Sequence, residues 1–321
     1  MSRPSQRDPL PYLVLPALAL AALAVMSFPA WLTLTVAGIA MGCMLFLAAS
    51  GLTLIFGLMD VLNFAHGGFV TLGAFIAVSV VVTWAPAIGG VALVALAVLA
   101  AAAAGALLGL VFERGLIRRV AGAPLRQILI TMGGAIILQQ ALIVLWGAEP
   151  LPLPRPENLR GSVIFAGAAL ERYRLAVIGL GVVVFAALAL TLKRTRLGLL
   201  VRAAVENREM VESLGFHVDR LFRLVFAAGT ALAALGGVVW ALHAEMVTAD
   251  LGADITILLF ITVIIGGLGS VGGCFLAALL VGLADNYVGF LAPKLALGTD
   301  ILLMLIVLLW RPRGLLPVAA P

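Results

Sequence analysis

Apolar residues fill most of this chain, and polar residues interrupt them at only a few places. Residues 9–59 carry no Asp, Glu, Lys or Arg, and neither do residues 61–112. Each stretch has room for two crossings at about 20 residues per transmembrane helix. Followed to its end, the pattern predicts spans near 12–28, 32–58, 67–84, 89–112, 127–146, 175–192, 223–243, 256–267, 272–290 and 299–310. The expected fold is an all-α polytopic membrane protein, one transmembrane domain over 1–321 with about ten transmembrane helices. Because 256–267 is short for a crossing, eight crossings with two re-entrant segments satisfy the same pattern.

Composition removes the soluble classes. Hydrophobic residues make up 64% of the chain and charged residues 11%, against roughly 45–50% and about 25% in soluble domains. The net charge of +5 carries no nucleic-acid signal, because the bases gather at span ends: Arg3 and Arg7, residues 114–126, residues 193–223, and Arg311 with Arg313. Such clusters mark cytoplasmic ends, so both termini and the 193–223 loop are expected in the cytoplasm. Residues 244–254 hold Glu245, Asp250 and Asp254 and no base, which suits the outer side. Arg3 and Arg7 ahead of an apolar run also fit a signal peptide, but no small-residue cleavage site follows and a retained first span is expected. Cys43 and Cys274 lie within apolar runs and read as packing residues.

Four interruptions stand out. Residues 193–223 form the densest run of charge, and 203–214 within it have helical period. Ala203, Ala204, Met210, Val211 and Leu214 fall on one face, Glu206, Arg208, Glu209 and Glu212 on the other, and Gly215 follows as a stop. An amphipathic helix between spans is a handle for a soluble partner; it equally suits a segment lying on lipid headgroups, although its acidic face opposes an anionic surface. Residues 147–174 form the expected external loop, where Pro150, Pro152, Pro154 and Pro156 favour an extended path. The other two interruptions are glycine-bearing breaks, DVLNFAHGG at 60–68 and GGLGSVGG at 266–273. Broken backbone at membrane depth is tolerated where protein or a watery cavity satisfies it, and transporters place such breaks at the pathway, in matching positions of two halves. Asn63, His66, Gly67, Gly68, Gly266, Gly267 and Gly269 are therefore path candidates.

Candidate chemistry is sparse. The chain has no GxxxxGK[ST], HExxH, GxSxG or CxxC, and three histidines give a metal cluster little material. No cofactor is expected on this chain, and any ATP-driven motion must come from another subunit. Asp60, Asn63 and His66 are costly if inside the membrane, and inexpensive if the break lies at the interface. Asp285, Asn286 and His243 read as outer-interface residues. Gln139 and Gln140 lie deeper in a span, where helix-to-helix hydrogen bonding and substrate contact both remain open.

Four ordered motifs carry a family resemblance. GLTLIFGLMDVLNFAHGGFVTLGAF (51–75), TRLGLLVRAAVENREMVESLGFHVDR (195–220), IIGGLGSVGGCFLAALLVGLAD (264–285) and WRPRGLL (310–316) resemble permease subunits of branched-chain amino acid ABC importers, and NFAHG favours the H-type over the M-type subunit. The resemblance implies a ten-helix architecture similar to the ribose-type permeases, in the bacterial inner membrane. It implies as partners a second, M-type permease, two cytoplasmic ATPase subunits that hold ATP and Mg, and a periplasmic substrate-binding protein. It also makes 203–214 the coupling helix: Met210, Val211 and Leu214 would bury in a groove of the ATPase, with Arg208 and Glu209 orienting the rim. Importers of urea, short amides or sugars are the neighbouring readings. An ion-coupled transporter would need intramembrane carboxylates, for which only Asp60 and Asp285 are candidates, and a structural or signalling subunit would need no broken spans.

Overall fold

The computed structural model describes residues 10–120 and 122–317; Arg3 and Arg7, part of the basis for a cytoplasmic N-terminus, lie outside the described residues. Among the described residues thirteen α-helices follow one another: α1 (Leu10–Leu23), α2 (Phe28–Met59), α3 (His66–Trp84), α4 (Gly90–Gly115), α5 (Pro124–Trp146), α6 (Arg172–Arg194), α7 (Arg196–Glu206), α8 (Arg208–Ser213), α9 (Val218–Ala244), α10 (Leu251–Gly266), α11 (Val271–Leu291), α12 (Pro293–Ala296) and α13 (Thr299–Trp310). Seven of them are long and apolar enough to cross a membrane, and α1, α10 and α13 are shorter apolar helices. The ten predicted spans correspond to these ten helices.

The long helices α2 and α9 form the centre. Around them pack α3, α4 and α11, while α10 lies on α3 and α11. In α2 the apolar window is 83% buried; in α5 and α6 it is 17% and 11% buried. Those outer helices show Leu129, Ile136, Ile137, Val144 and Val183 on the surface, as lipid-facing or partner-facing helices do. Small residues bring the central helices together. A Cβ on Gly51 would lie 2.0 Å from the Gly229 carbonyl oxygen, and one on Gly237 would lie 1.9 Å from that of Val70. Without a hydrophobic force between helices in lipid, such close backbone packing supplies much of their attraction.

The two ends differ in chemistry. At the basic end, Arg118 of the α4–α5 link meets Asp219 of α9 at 2.7 Å, and the segment after α13 folds against Gly267. At the opposite end, the proline-bearing segment is extended as expected, but it also pairs: β1 (Leu151–Pro152) joins β4 (Met246–Val247), and β2 (Ser162–Phe165) with β3 (Ala168–Glu171) makes a hairpin that the sequence did not announce. Arg155 clasps this end. Its Nε and Nη2 donate to the Leu242 and His243 carbonyls at 2.8 and 2.7 Å, and its guanidinium lies over the Tyr173 ring. The last carbonyls of α9, which lack helical partners, are thus covered by a cation.

Residues 203–214 do not form one helix. Asn207 is extended (φ −153°, ψ 96°) and its side chain accepts the Met210 N–H at 2.9 Å, so α7 ends and α8 starts afresh. Asparagine competes with the helical backbone in this way and is a strong N-cap.

Gly51→Ala should lower the apparent melting temperature of the detergent-solubilised protein, by the equivalent of about 2 kcal/mol, because the clashing atoms are backbone. A Cβ added to Gly133 of α5 would meet nothing within 4 Å, so Gly133→Ala should be neutral or slightly stabilising. Equal melting of the two variants would contradict this packing.

Candidate functional site

α2 stops at Asp60, whose left-handed backbone (φ 52°) directs its N–H to the Phe56 carbonyl at 2.9 Å. The chain then doubles back along the bundle. Asn63 Oδ1 accepts the Ala65 N–H and the Asn63 carbonyl accepts the His66 N–H, each at 3.2 Å. The Leu62 carbonyl accepts the Thr131 hydroxyl of α5 at 3.3 Å. These bonds satisfy freed backbone in place, as a bilayer interior requires. His66 Nε2 lies 2.8 Å from the Ala48 carbonyl oxygen; a carbonyl only accepts, so Nε2 carries the proton. Ala48 is roughly 16 Å by helical rise from the Met59 end of α2. Helix α3 therefore begins deep within the bundle.

Helix α10 begins deep as well, from the other side. The Gly252 N–H donates to Thr71 Oγ1 at 2.8 Å, and Thr71 is roughly 20 Å by helical rise from the Trp84 end of α3. The two first turns touch. A Cβ on Gly67 would lie 2.2 Å from the Gly252 carbonyl oxygen, and one on Gly252 would lie 2.0 Å from that of Gly67. From this junction α3 runs toward the hairpin end and α10 toward the basic end. Two positive helix termini thus meet at mid-depth.

A cavity of about 270 Å³ opens beside the junction. Gly68 and Thr71 of α3, Ala253, Thr256 and Ile257 of α10, Met132, Ile136, Gln139 and Leu142 of α5, and Phe64 line it. The Thr71 and Thr256 hydroxyls donate to the Gly67 and Gly252 carbonyls. At the same level Gln139 Nε2 donates to Asp250 Oδ1 at 2.6 Å, roughly 10 Å by helical rise below Trp146. The acidic stretch 244–254, expected at the outer surface, thus descends: Asp250 sits next to Gln139, inside the span of α5.

The path candidates separate accordingly. Gly68 and Gln139 line the cavity. Asn63 and His66 are buried and Gly67 is pressed on α10, so these three hold the junction from behind. Gln140 is on the exposed side of α5. The second glycine break is a packed joint at the basic end: a Cβ on Gly266 would lie 2.5 Å from the Gly273 carbonyl carbon, one on Gly269 2.7 Å from Gly57 Cα, and Gly267 (φ 98°) faces Arg313. Gly266, Gly267 and Gly269 do not open on the cavity. Sequence reasoning misses Thr71, Thr256 and Asp250, whose one signal is polarity beside an apolar run.

At the basic end, Ala204, Val211 and Val218 form a small buried cluster with Ala203, Leu221 and Phe222 around it. Val211 therefore faces its own chain, whereas Met210, Leu214 and Phe216 are 60%, 68% and 49% exposed. Leu214 and Gly215 (φ 87°) lie just beyond α8. Arg208 is not a free rim charge. It bonds Glu212 at 3.0 Å and Asp219 at 2.7 Å, and Asp219 in turn holds Arg118. Glu206 and Glu209 are on the surface. The result is a short helix pair fastened to α9, with Met210, Leu214 and Phe216 exposed among charges at its far end.

Among the described residues no group of three or more His, Cys, Asp or Glu could hold a metal ion. Residues 34–309 match the family model described as branched-chain amino acid transport system / permease component. The chain is 29% identical over 301 residues to the high-affinity branched-chain amino acid transport system permease protein BraD of Pseudomonas aeruginosa, covering 87% of this chain and 93% of that one. It is 28% identical over 293 residues to the LivH permease protein of the corresponding Escherichia coli system, with the same coverage. A probable LivH permease of Methanocaldococcus jannaschii is 25% identical over 290 residues, covering 85% and 88%. No solved structure matches significantly. With the family match spanning nearly all ten apolar helices, this multi-pass membrane chain belongs to the permease components of branched-chain amino acid transport systems.

Proposed function

We propose that this chain is the permease subunit of an ATP-binding-cassette importer that moves branched-chain or closely related amino acids inward, with ATP and Mg held by separate ATPase subunits. The observation that carries the reading is the pair of features just described: an apolar, polar-edged handle at the basic end, and a mid-depth cavity where two interrupted helices meet.

The chemistry of each part suits the task. The positive termini of α3 and α10 favour a carboxylate without introducing a fixed charge. Met132, Ile136, Leu142 and Ile257 offer an aliphatic side chain apolar walls. On the cytoplasmic side, Met210, Leu214 and Phe216 fit a groove on an ATPase in the manner of helix-in-groove recognition. The Arg208–Asp219–Arg118 network ties that handle to α9 and to the α4–α5 link. Helix α9 packs on α2, α3 and α4, so displacement of the handle by ATP-driven closure reaches the walls around the junction as a rigid-body shift. The second permease and an external binding protein complete the assembly in this reading. The N- and C-termini face the cytoplasm of the inner membrane.

Two variants test the handle. Leu214→Asp or Met210→Asp should cut co-purification of the ATPases by about tenfold or more, the loss expected at an interface anchor, while the permease itself is made and inserted normally. Val211→Asp should instead destabilise the permease, because Val211 is buried in its own chain. Unchanged ATPase assembly and unchanged substrate-stimulated hydrolysis in the Leu214 and Met210 variants would contradict the role.

Gln139→Leu tests the cavity. It removes the bond to Asp250 and the one amide lining the cavity. Uptake by the reconstituted complex should fall by about tenfold or more, the equivalent of one hydrogen bond to a charged group, with ATPase assembly intact. Gln140→Leu, on the exposed side, should leave uptake unchanged.

A further inference from the structure

Another, larger cavity of about 710 Å³ lies between α2, α11 and α13, near the hairpin end. Its size falls within the roughly 300–1,000 Å³ typical of small-molecule sites. One part of its wall is apolar, with Leu34, Ala37, Met41 and Met44 along one stripe of α2. The rest carries ionisable side chains. Asp285 of α11 and Asp300 of α13 lie against one another, while Arg174 and His243 stand at the adjoining ends of α6 and α9. Three polar atoms here are buried without a partner: Asp300 Oδ1, Arg174 Nε and His243 Nδ1. Arg174 spends only its Nη2 on Glu171, at 3.0 Å. Such charges within apolar helices are costly and mark ligand pathways, and unpaired buried donors and acceptors call for a partner.

We propose that this cavity is a receiving site for a zwitterionic α-amino acid, which sets its ammonium against Asp285 and Asp300, its carboxylate against Arg174 and His243, and its side chain along α2. The inference rests on the amino-acid importer reading given above and adds a second place, near the hairpin end, where substrate is held. The two sites divide the work by chemistry. The outer one has a carboxyl pair, a guanidinium and an imidazole and so recognises the backbone of the amino acid. The inner one has an amide, hydroxyls and helix termini, and so holds substrate weakly enough to pass it on. An adjoining carboxyl pair is suited to reversible capture, because an arriving ammonium relieves the repulsion between the two acids and a departing one restores it.

The test uses the complete complex in proteoliposomes with its ATPases and binding protein. The double variant Asp285→Asn/Asp300→Asn should reduce leucine uptake and leucine-stimulated ATP hydrolysis by at least about tenfold, the loss of a charge-assisted contact, with basal hydrolysis and co-purification within about twofold of wild type. Because that variant also alters packing, labelling supplies a second readout. A Met41→Cys complex should react with a hydrophilic maleimide from outside. Millimolar leucine should protect it, whereas 4-methylpentanoate, which lacks the ammonium, and 3-methylbutylamine, which lacks the carboxylate, should not. Uptake by wild type combined with an unaffected double variant, or with equal protection by all three compounds or by none, would overturn the receiving site alone. A wild-type complex that transports no amino acid would overturn the importer reading itself.

Discussion

The backbone crossing of α3 and α10 at Gly67 and Gly252 is the constraint on which the remaining architecture depends. Each glycine stands where any side chain would strike the other's carbonyl oxygen. Both helices begin there, so their first N–H groups and the irregular segments leading to them must be satisfied away from bulk water. Asn63 and Thr71 supply those bonds from within, and the Leu62 carbonyl is anchored to Thr131 of α5. The cavity beside the crossing follows from it: two helices that start at mid-depth leave a gap where one continuous helix would have left none.

Around that crossing, α9 links the two ends of the molecule. Its first turn carries Asp219, shared between Arg118 and Arg208, and its last carbonyls are capped by Arg155. Between these points it makes the close glycine contacts that fix α2 and α3. A push on the α7–α8 handle is therefore delivered to a stiff, well-packed element, and the poorly buried α5 on the far side of the cavity is the wall with most freedom to move relative to it.

Much of this is legible in the sequence, and the rest is hidden for identifiable reasons. Unbroken apolar runs mark the ten helices, because lipid imposes length and composition directly. The first glycine break reads as a membrane feature, and Gly68 and Gln139 do line the cavity. The break at 266–273 has the same composition but is a packed joint, since glycine serves close approach and open backbone alike. Residues 203–214 have helical periodicity, yet Asn207 splits them and turns Val211 inward, a local capping bond that periodicity does not register. Asp250 reads as an outer residue because charge patterns report topology and carry no depth. The grouping of Arg174, His243, Asp285 and Asp300 joins four helices distant in sequence, and no spacing rule could collect them.

The central claim, that α10 starts at mid-depth beside a water-accessible cavity, is tested most directly by thiol accessibility. Cys43 and Cys274 are both buried, so the background is low. Ala253→Cys, exposed at the first turn of α10 on the cavity wall, should react with a membrane-impermeant thiol reagent in the reconstituted complex, at a rate that changes when ATP is turned over. Ile137→Cys, on the bare face of α5 at a similar level, should stay unreactive under both conditions. Ala253→Cys as inert as Ile137→Cys, with and without ATP, would contradict the account.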